Sequence, residues 1–274
     1  YRMVPRTFIR RFIPAKLSDN KHLRGTGYRE TLMMLPPEER EALLAGRWSG
    51  NRVEGAFYFR ELQAMRAQQR IGKVPHTPGV EVNTFWDLGY NDFNSIWFHQ
   101  QVGLTNRFIR SYQNSGYAIE HYTKLLKDFA DEYGYVYGTH YIPHDAANTS
   151  LQTGKTMLQM LQEQMPRHRF VVVPRVAKVL VGIQQTRAAM ATAWIDEDAC
   201  GEGLASLAAY RKRYNKAISS FTDEPIHDSH SNYADAFRQW AQGYDGARQA
   251  ITRVAPDWKE RLLRAKRGRS YMST

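Results

Sequence analysis

Three consecutive strand-type runs, joined by short turns, lie in residues 80–112 and constrain the fold more than any other segment. The runs cover residues 80–88, 94–102 and 106–112. In the second run Ile96, Phe98 and Gln100 fall on one face, and a turn at Gly103 precedes the third. Alternation with a period of two is typical of strands, and connections this short join antiparallel neighbours. The segment therefore predicts an antiparallel three-strand meander.

After the meander the pattern alternates between helix and strand, which is typical of an α/β fold. Apolar residues at helical spacing predict helices at residues 118–133, 155–164 and 176–190, and strand-type runs occupy residues 135–142 and 169–173. The predicted fold class is α/β, with a mixed sheet in which the meander is extended by further strands and flanked by helices.

Residues 1–78 are organised differently from the rest of the chain. LPPEEREALLAGRW predicts a helix with Pro37 near its first turn and Gly46 after its end, and GAFYFRELQAMRAQQR starts another helix. Pro75 and Pro78 mark the best candidate boundary. We predict a helical linker segment at residues 1–78, a folded domain at residues 79–250 and a basic tail at residues 251–274.

Composition narrows the classes of function. No run of about 18 apolar residues occurs and no basic stretch leads into an apolar one, so we expect a soluble protein without a secretory signal. The single cysteine, Cys200, excludes a cysteine-rich zinc site and an intrachain disulfide framework. With 38 Lys and Arg against 27 Asp and Glu, the net charge of +11 favours a nucleic-acid partner. A solvated basic surface is the alternative.

Aspartates occur in three separated motifs that suit a metal site. FWDLGYND contains Asp87 and Asp92, YIPHDAAN contains Asp145, and HDSHSNYADAFR contains Asp228 and Asp235. The first two motifs end strand-type runs, and chemistry in open α/β sheets lies at strand ends. In a chain this basic, clustered acids are costly unless a bound cation neutralises them, and such a cation handles phosphate well. The motifs therefore predict a divalent-metal site.

Carboxylates alone are sufficient ligands for Mg²⁺ or Mn²⁺, because these ions prefer oxygen. Two ions about 4 Å apart activate a water and stabilise the leaving 3′ oxygen in phosphodiester hydrolysis. We expect Asp87 to bridge two ions, Asp145 to hold one and Asp235 to complete the site. Asp228 is the other candidate for the third ligand, and Asp92 is a candidate for an outer role.

Each aspartate also has a structural interpretation. Asp87 precedes Gly89 and would fit a turn, and Asp145 would fit the N-cap of a short helix. Asp235 would fit an exposed helix face, and Asp228 a surface loop.

Two further motifs look like ligand sites and are not expected to be. His227 and His230 have a metal-like spacing, but no cysteine partner lies nearby in the sequence. The GKT at residues 154–156 lacks the glycine that a phosphate-binding loop needs five positions earlier, where Thr149 stands. We therefore predict neither a zinc site nor a nucleotide site.

Basic residues in YRKRYNK are the candidates for contacting DNA phosphates without reading sequence. They form a predicted loop or hairpin and comprise Arg211, Lys212, Arg213 and Lys216. A solvated basic turn is the alternative. The segment RLLRAKRGRS, at residues 261–270, is a second candidate for binding DNA or a capsid partner.

Several motifs, in order, resemble the nuclease half of a tailed-bacteriophage large terminase subunit, the motor that packages viral DNA. They are FIPAKLSDN with LPPEEREALLAGRW, which resembles the segment linking the ATPase and nuclease domains, then WDLGYNDFNSIWF, YIPHDAAN with TGKTMLQMLQEQ, and IHDSHSNYADAFR. The resemblance covers nearly the whole chain. It implies a ribonuclease H-like fold whose acidic residues bind two divalent cations and cut double-stranded DNA at the start and end of packaging.

The resemblance also implies partners and a location. The partners would be double-stranded DNA, an ATPase domain, the portal ring and the small terminase subunit, and the location would be the host cytoplasm during virion assembly. Since no ATPase motif is found, we expect a fragment or a separately made nuclease domain, without translocation.

Two other interpretations remain at this level. Another ribonuclease H-like nuclease, of the resolvase or transposase type, is expected to lack FIPAKLSDN and the ADAFR ending. A non-catalytic basic DNA-gripping or portal-docking module would lose nothing when Asp87 becomes alanine.

Overall fold

The computed structural model describes residues 17–23, 25–34, 55–89, 93–149, 154–215 and 220–244. The chain divides into two compact units, Tyr1–Arg52 and Val53–Thr274. The first unit contains two 3-10 turns and one helix, α1, in its described part, at Leu17–Asp19, Lys21–Leu23 and Tyr28–Met33. The helix predicted from LPPEEREALLAGRW lies outside the described residues.

The second unit is built on a seven-stranded mixed sheet with the strand order β1-β7-β4-β3-β2-β5-β6. Its strands are β1 (Ile71–Gly72), β2 (Val82–Asp87), β3 (Phe93–Val102), β4 (Thr105–Ser115), β5 (Tyr137–Ile142), β6 (Arg169–Val172) and β7 (Ala193–Asp196). Strands β2, β3 and β4 pair antiparallel, which confirms the predicted meander. Parallel pairing adds β5 and β6 beside β2, and β7 and β1 beside β4.

Helices cover both faces of the sheet. They are α2 (Phe59–Ala67), α3 (Ile119–Tyr133), α4 (Met157–Gln164), α5 (Val179–Ala189), α6 (Gly201–Ala209) and α7 (Ser231–Gly243). Local sequence sets some of the ends: Thr156 and Gln159 form a reciprocal capping box at the start of α4. At the end of α3, Gly134 takes the left-handed conformation with φ of 70°. A separate antiparallel hairpin consists of β8 (Lys212–Asn215) and β9 (Ser220–Pro225).

Alternating side chains on β2 divide the core between the two faces of the sheet. Phe85 joins the cluster that includes Tyr233 and Phe237 of α7, whereas Trp86 joins the cluster that includes Leu126 of α3. All of these side chains are buried. Burial of large apolar and aromatic side chains on both faces stabilises the sheet as the middle layer of three.

Helix α2 packs in the second unit, although it precedes the sequence-based boundary at residue 78. Its side chains Leu62 and Met65, and Tyr58 before it, are buried in the same cluster as Phe85. Strand β1 then joins the sheet beside β7. The compact units therefore divide at Arg52 and Val53, because the apolar face of α2 is covered by this core.

None of the helices in the described ranges has the length and apolar character needed to cross a membrane.

Candidate active site

Strand β2 carries Asp87 to one edge of the sheet and onto the face that α7 covers. Because side chains alternate along a strand, Asp87 lies on the same face as Phe85, which packs in the cluster containing α7. Asp87 itself is half-buried. The helix α7 packs against both β2 and β3. This face of the sheet is therefore where a second acid from α7 can approach Asp87.

Helix α7 supplies that acid together with a cation. Asp235 and Arg238 are three residues apart on one helical face, and Arg238 Nη1 donates to Asp235 Oδ1 at 2.6 Å. Their side chains are 25% and 13% exposed, respectively. Both side chains thus lie largely out of water, where an ion pair is screened less than at the surface.

The electrostatics connect Asp87, Asp235 and Arg238. Burial raises the pKa of Asp235, while Arg238, His227 and a hydrogen bond with Tyr210 act in the opposite direction. Burial acts to lower the pKa of Arg238, but neighbouring acidic groups, among them Asp235 and Asp87, raise it overall. Arg238 therefore interacts with carboxylates from two different elements of the fold.

Asp145 lies just after β5, the strand that pairs parallel with β2 on the side away from β3. Phe85 is opposite Tyr141, so the carboxyl ends of the two strands share one edge of the sheet. Asp145 is exposed and belongs to a 3-10 turn at His144–Ala147. Asp145 therefore follows β5 at the same edge of the sheet at which Asp87 ends β2.

Asp228 has a different environment from Asp235. Its Oδ1 accepts the backbone N–H of His230 at 3.0 Å, and its Oδ2 lies 3.4 Å from Arg211 Nη2. Its backbone carbonyl accepts from the N–H and hydroxyl of Ser231, the first residue of α7. Asp228 therefore organises the turn that starts α7, in the manner of an Asx turn.

A ready-made three-ligand cluster is not found within the part of the chain that the structure describes, where no group of three His, Cys, Asp or Glu side chains is arranged to hold a metal. Asp92 and Lys216 lie outside the described residues. The assignment of Asp87, Asp145 and Asp235 as metal ligands stays a prediction.

Two stacked tyrosines, which local sequence patterns do not indicate, lie beside the ion pair of Asp235 and Arg238. The ring of Tyr58 stacks on Tyr210, with centroids 5.8 Å apart and planes at 21°. Arg238 Nη1 lies 3.5 Å from the Tyr210 hydroxyl. Tyr58 and Tyr210 are buried and far apart in the sequence, so no local pattern could have indicated their contact.

Three of the predicted DNA-contacting residues are described, with Lys212 and Arg213 in β8 and Arg211 directly before it, and each has an acidic neighbour. Lys212 Nζ lies 2.6 Å from Asp223, Arg213 lies 3.8 Å from Glu224, and Arg211 lies 3.4 Å from Asp228. The acidic neighbours of Arg211, Lys212 and Arg213 thus reduce the local positive potential.

No family model matches the sequence, and no curated protein matches it with significance. Similarity is found among solved structures. The large terminase from a thermophilic bacteriophage matches with a TM-score of 0.54 and 16% identity over 83% of this chain and 55% of that chain. The same terminase in complex with ADP gives 0.53 and 16% over 83% and 54%. The P22 large terminase nuclease domain gives a lower TM-score of 0.45, with 16% identity over 64% of this chain and 87% of that chain.

The chain spans about half the length of the thermophilic-phage terminase structures that it matches. At this identity the similarity concerns the fold. The mixed sheet of this chain has an antiparallel meander that is extended by parallel strands and flanked by helices, which confirms the predicted ribonuclease H-like α/β fold. The chain has the fold of a region of a phage large terminase.

Proposed function

We propose that this chain is a metal-dependent endonuclease that cleaves double-stranded DNA during viral genome packaging, with little sequence preference. The observation that carries the proposal is the placement of two acids from separate elements on one face of the sheet: Asp87 ends β2 on the face that α7 covers, and Asp235 of α7 pairs there with the largely buried Arg238. Acids assembled from distant parts of a basic chain, at a strand end in a sheet of this fold, are expected at a catalytic site.

The residues present fit a divalent cation. Carboxylate oxygens are the donors that Mg²⁺ and Mn²⁺ prefer, and Asp235 already pairs with a positive group. Asp87, Asp235 and Asp145 would hold one or two ions. When bound, such ions supply Lewis-acid stabilisation of the phosphoryl group and an activated water.

The protein's own groups have distinct roles in this account. The half-buried Asp87 and Asp235 keep their orientation through packing of α7 on the sheet, which limits the motion of a bound phosphodiester relative to them. His227 is exposed beside Asp235, where it is available to contact a phosphate. We assign the third ligand to Asp235, because it lies on α7, which packs against β2, whereas Asp228 organises the turn before α7 through its bonds to His230 and Ser231.

The partners follow from the same proposal. Double-stranded DNA would be the substrate, and an ATPase domain, the portal ring and the small terminase subunit would be protein partners. The site of action would be the host cytoplasm during virion assembly. The +11 charge of the chain supports a polyanionic substrate.

The test is cleavage of supercoiled plasmid with Mg²⁺, Mn²⁺ or EDTA by the chain and four variants, Asp87→Ala, Asp145→Ala, Asp228→Ala and Asp235→Ala. We expect metal-dependent nicking that is lost in all variants except Asp228→Ala. That variant should retain cleavage but lose about 1 kcal/mol of stability, because it removes the acceptor for the His230 N–H.

Asp128→Asn is the matched control, because Asp128 is an exposed aspartate of α3 that pairs with Lys124. It should cleave like the unmodified chain. DNA binding without cleavage under any metal would instead favour a docking module. Loss of cleavage in Asp228→Ala with retention in Asp235→Ala would reverse the assignment of the third ligand.

A further inference from the structure

Arg238 is held in place more firmly than a surface arginine. Its side chain is 13% exposed, and its Nε is buried without a hydrogen-bond partner. A Cβ added at Gly182 of α5 would lie 2.7 Å from Arg238 Cδ, so α5 packs directly on the arginine stem. A buried arginine is costly to desolvate, and its retention here calls for groups that need its charge.

Those groups are the acids already assigned to the active site. Asp235 accepts a hydrogen bond from the guanidinium at 2.6 Å, and Asp87 ends β2 on the face of the sheet against which α7, the helix that carries Arg238, packs. Asp87 is among the acidic groups that raise the pKa of Arg238. Two partly buried carboxylates on the same face of the sheet would repel each other without a positive group nearby. Arg238 thus supplies the positive charge that a divalent ion would also supply.

We propose that Arg238 is a built-in counter-cation: its guanidinium neutralises Asp87 and Asp235 when no metal is bound, and a divalent ion binds these acids in competition with it. This inference rests on the proposed function. Arg238 is a positioning residue in this account, since it acts through the carboxylates.

A purely structural role makes a different prediction. If the ion pair between Asp235 and Arg238 served only to fix α7, breaking it would lower stability whether or not metal is present. Loss of a cation that competes with metal would lower stability only in the absence of metal, because a bound metal ion replaces the missing positive charge. Metal affinity and metal-dependent stability therefore separate the two roles.

The experiment compares Mn²⁺ binding, by electron paramagnetic resonance titration, in the unmodified chain, Arg238→Gln and Arg238→Lys. Arg238→Gln should bind Mn²⁺ at least about tenfold more tightly, since a positive charge next to the ion is removed. Arg238→Lys keeps the charge and should bind like the unmodified chain. Thermal melting should show that Arg238→Gln is destabilised in EDTA and recovers more with Mn²⁺ than the unmodified chain does.

Arg187→Gln is the control variant. Arg187 of α5 pairs with Glu61 of α2 at 2.7 Å in a partly buried setting, and neither residue is a proposed metal ligand. Because Arg187 pairs with neither proposed ligand, the substitution should lower the melting temperature equally with and without Mn²⁺, and leave Mn²⁺ affinity unchanged. Where Arg238→Gln is unfolded in EDTA, the titration is followed by circular dichroism, and the proposal requires Mn²⁺ to restore the native spectrum.

Equal or weaker Mn²⁺ binding by Arg238→Gln, with binding by the unmodified chain intact, would overturn this inference and leave the proposed nuclease standing. Absence of Mn²⁺ binding in both proteins would contradict the proposed function, and this inference with it.

Discussion

A chain of buried polar side chains crosses from β2 to β5 on the face of the sheet opposite Asp87. Trp86 Nε1 donates to Thr84 Oγ1 at 2.6 Å, Thr84 Oγ1 lies 2.6 Å from His140 Nδ1, and His140 Nε2 lies 2.9 Å from His168 Nδ1. A single direction of donation, from Trp86 to His168, satisfies every member while His140 is neutral. The chain of bonds therefore favours an uncharged His140.

Burial lowers the pKa of His140 to about 3, and the neighbouring His168 adds to the effect. An unfolded chain exposes this histidine, with a pKa near its ordinary value of about 6.5. The unfolded state then binds more protons than the native state below that value. Stability is therefore lost as the pH falls from about 6.5 toward the pKa of the folded state.

We predict that the free energy of unfolding falls by about 3 kcal/mol through His140 between about pH 7 and about pH 4. His140→Gln should be less stable at neutral pH, because it loses hydrogen bonds, but its stability should depend less steeply on pH. Urea unfolding at a series of pH values measures both quantities. His99, whose pKa burial lowers to about 4, should contribute a similar slope that His140→Gln leaves in place. An unchanged slope in His140→Gln would contradict this account.

At the scale of elements, the position of α7 depends on how closely α6 approaches the sheet. Trp97 of β3 is fully buried and donates from Nε1 to the carbonyl of Tyr233 in α7 at 2.9 Å. A Cβ at Gly203 of α6 would lie 2.5 Å from Cη2 of the same Trp97 ring. The absence of a side chain at Gly203 therefore lets α6, β3 and α7 pack around one indole.

Gly203→Ala should destabilise the protein by about 1–3 kcal/mol, because the Trp97 ring has to move in a close-packed core. Gly201→Ala in the same helix is the control, since nothing lies within 4 Å of its added Cβ. That variant should be neutral or slightly stabilising, as alanine favours helix more than glycine does. Denaturant unfolding of the two variants gives the comparison, and equal stabilities would show that the contact is relieved without cost.

At the scale of the whole molecule, strongly periodic segments were predictable and long-range contacts were not. The alternation of side chains predicts the meander, and the helical spacing of apolar residues predicts α3. Burial of apolar side chains on each face of the sheet favours both elements. Strands β1 and β7 were missed, because two and four residues are too short to show a period. The turn signal at Pro78 predicts a domain boundary there. Burial of Met65 in the main core instead joins α2 to the second unit.

The candidate site shows the same division between local and distant signals. The motifs indicate Asp87 and Asp235, and the structure places Asp87 on the face of the sheet that α7 covers and pairs Asp235 of α7 with Arg238. The role of Arg238 beside them was not predicted, since its burial depends on packing by α5 and Tyr210. The pairing of Lys212 with Asp223 likewise depends on the register of a hairpin, which basic composition alone does not reveal.

The measurement that tests the central claim most directly is the rate of Mg²⁺-dependent nicking of supercoiled plasmid by Asp87→Asn. The substitution preserves size and removes one charge, so the fold is expected to persist, as circular dichroism would verify. The account predicts a rate reduced by more than about a hundredfold, since loss of a ligand should exceed the 10–100-fold effects typical of outer-shell partners. Asp128→Asn should keep the full rate. A folded Asp87→Asn that cleaves as fast as the unmodified chain would contradict a catalytic metal site at this edge of the sheet.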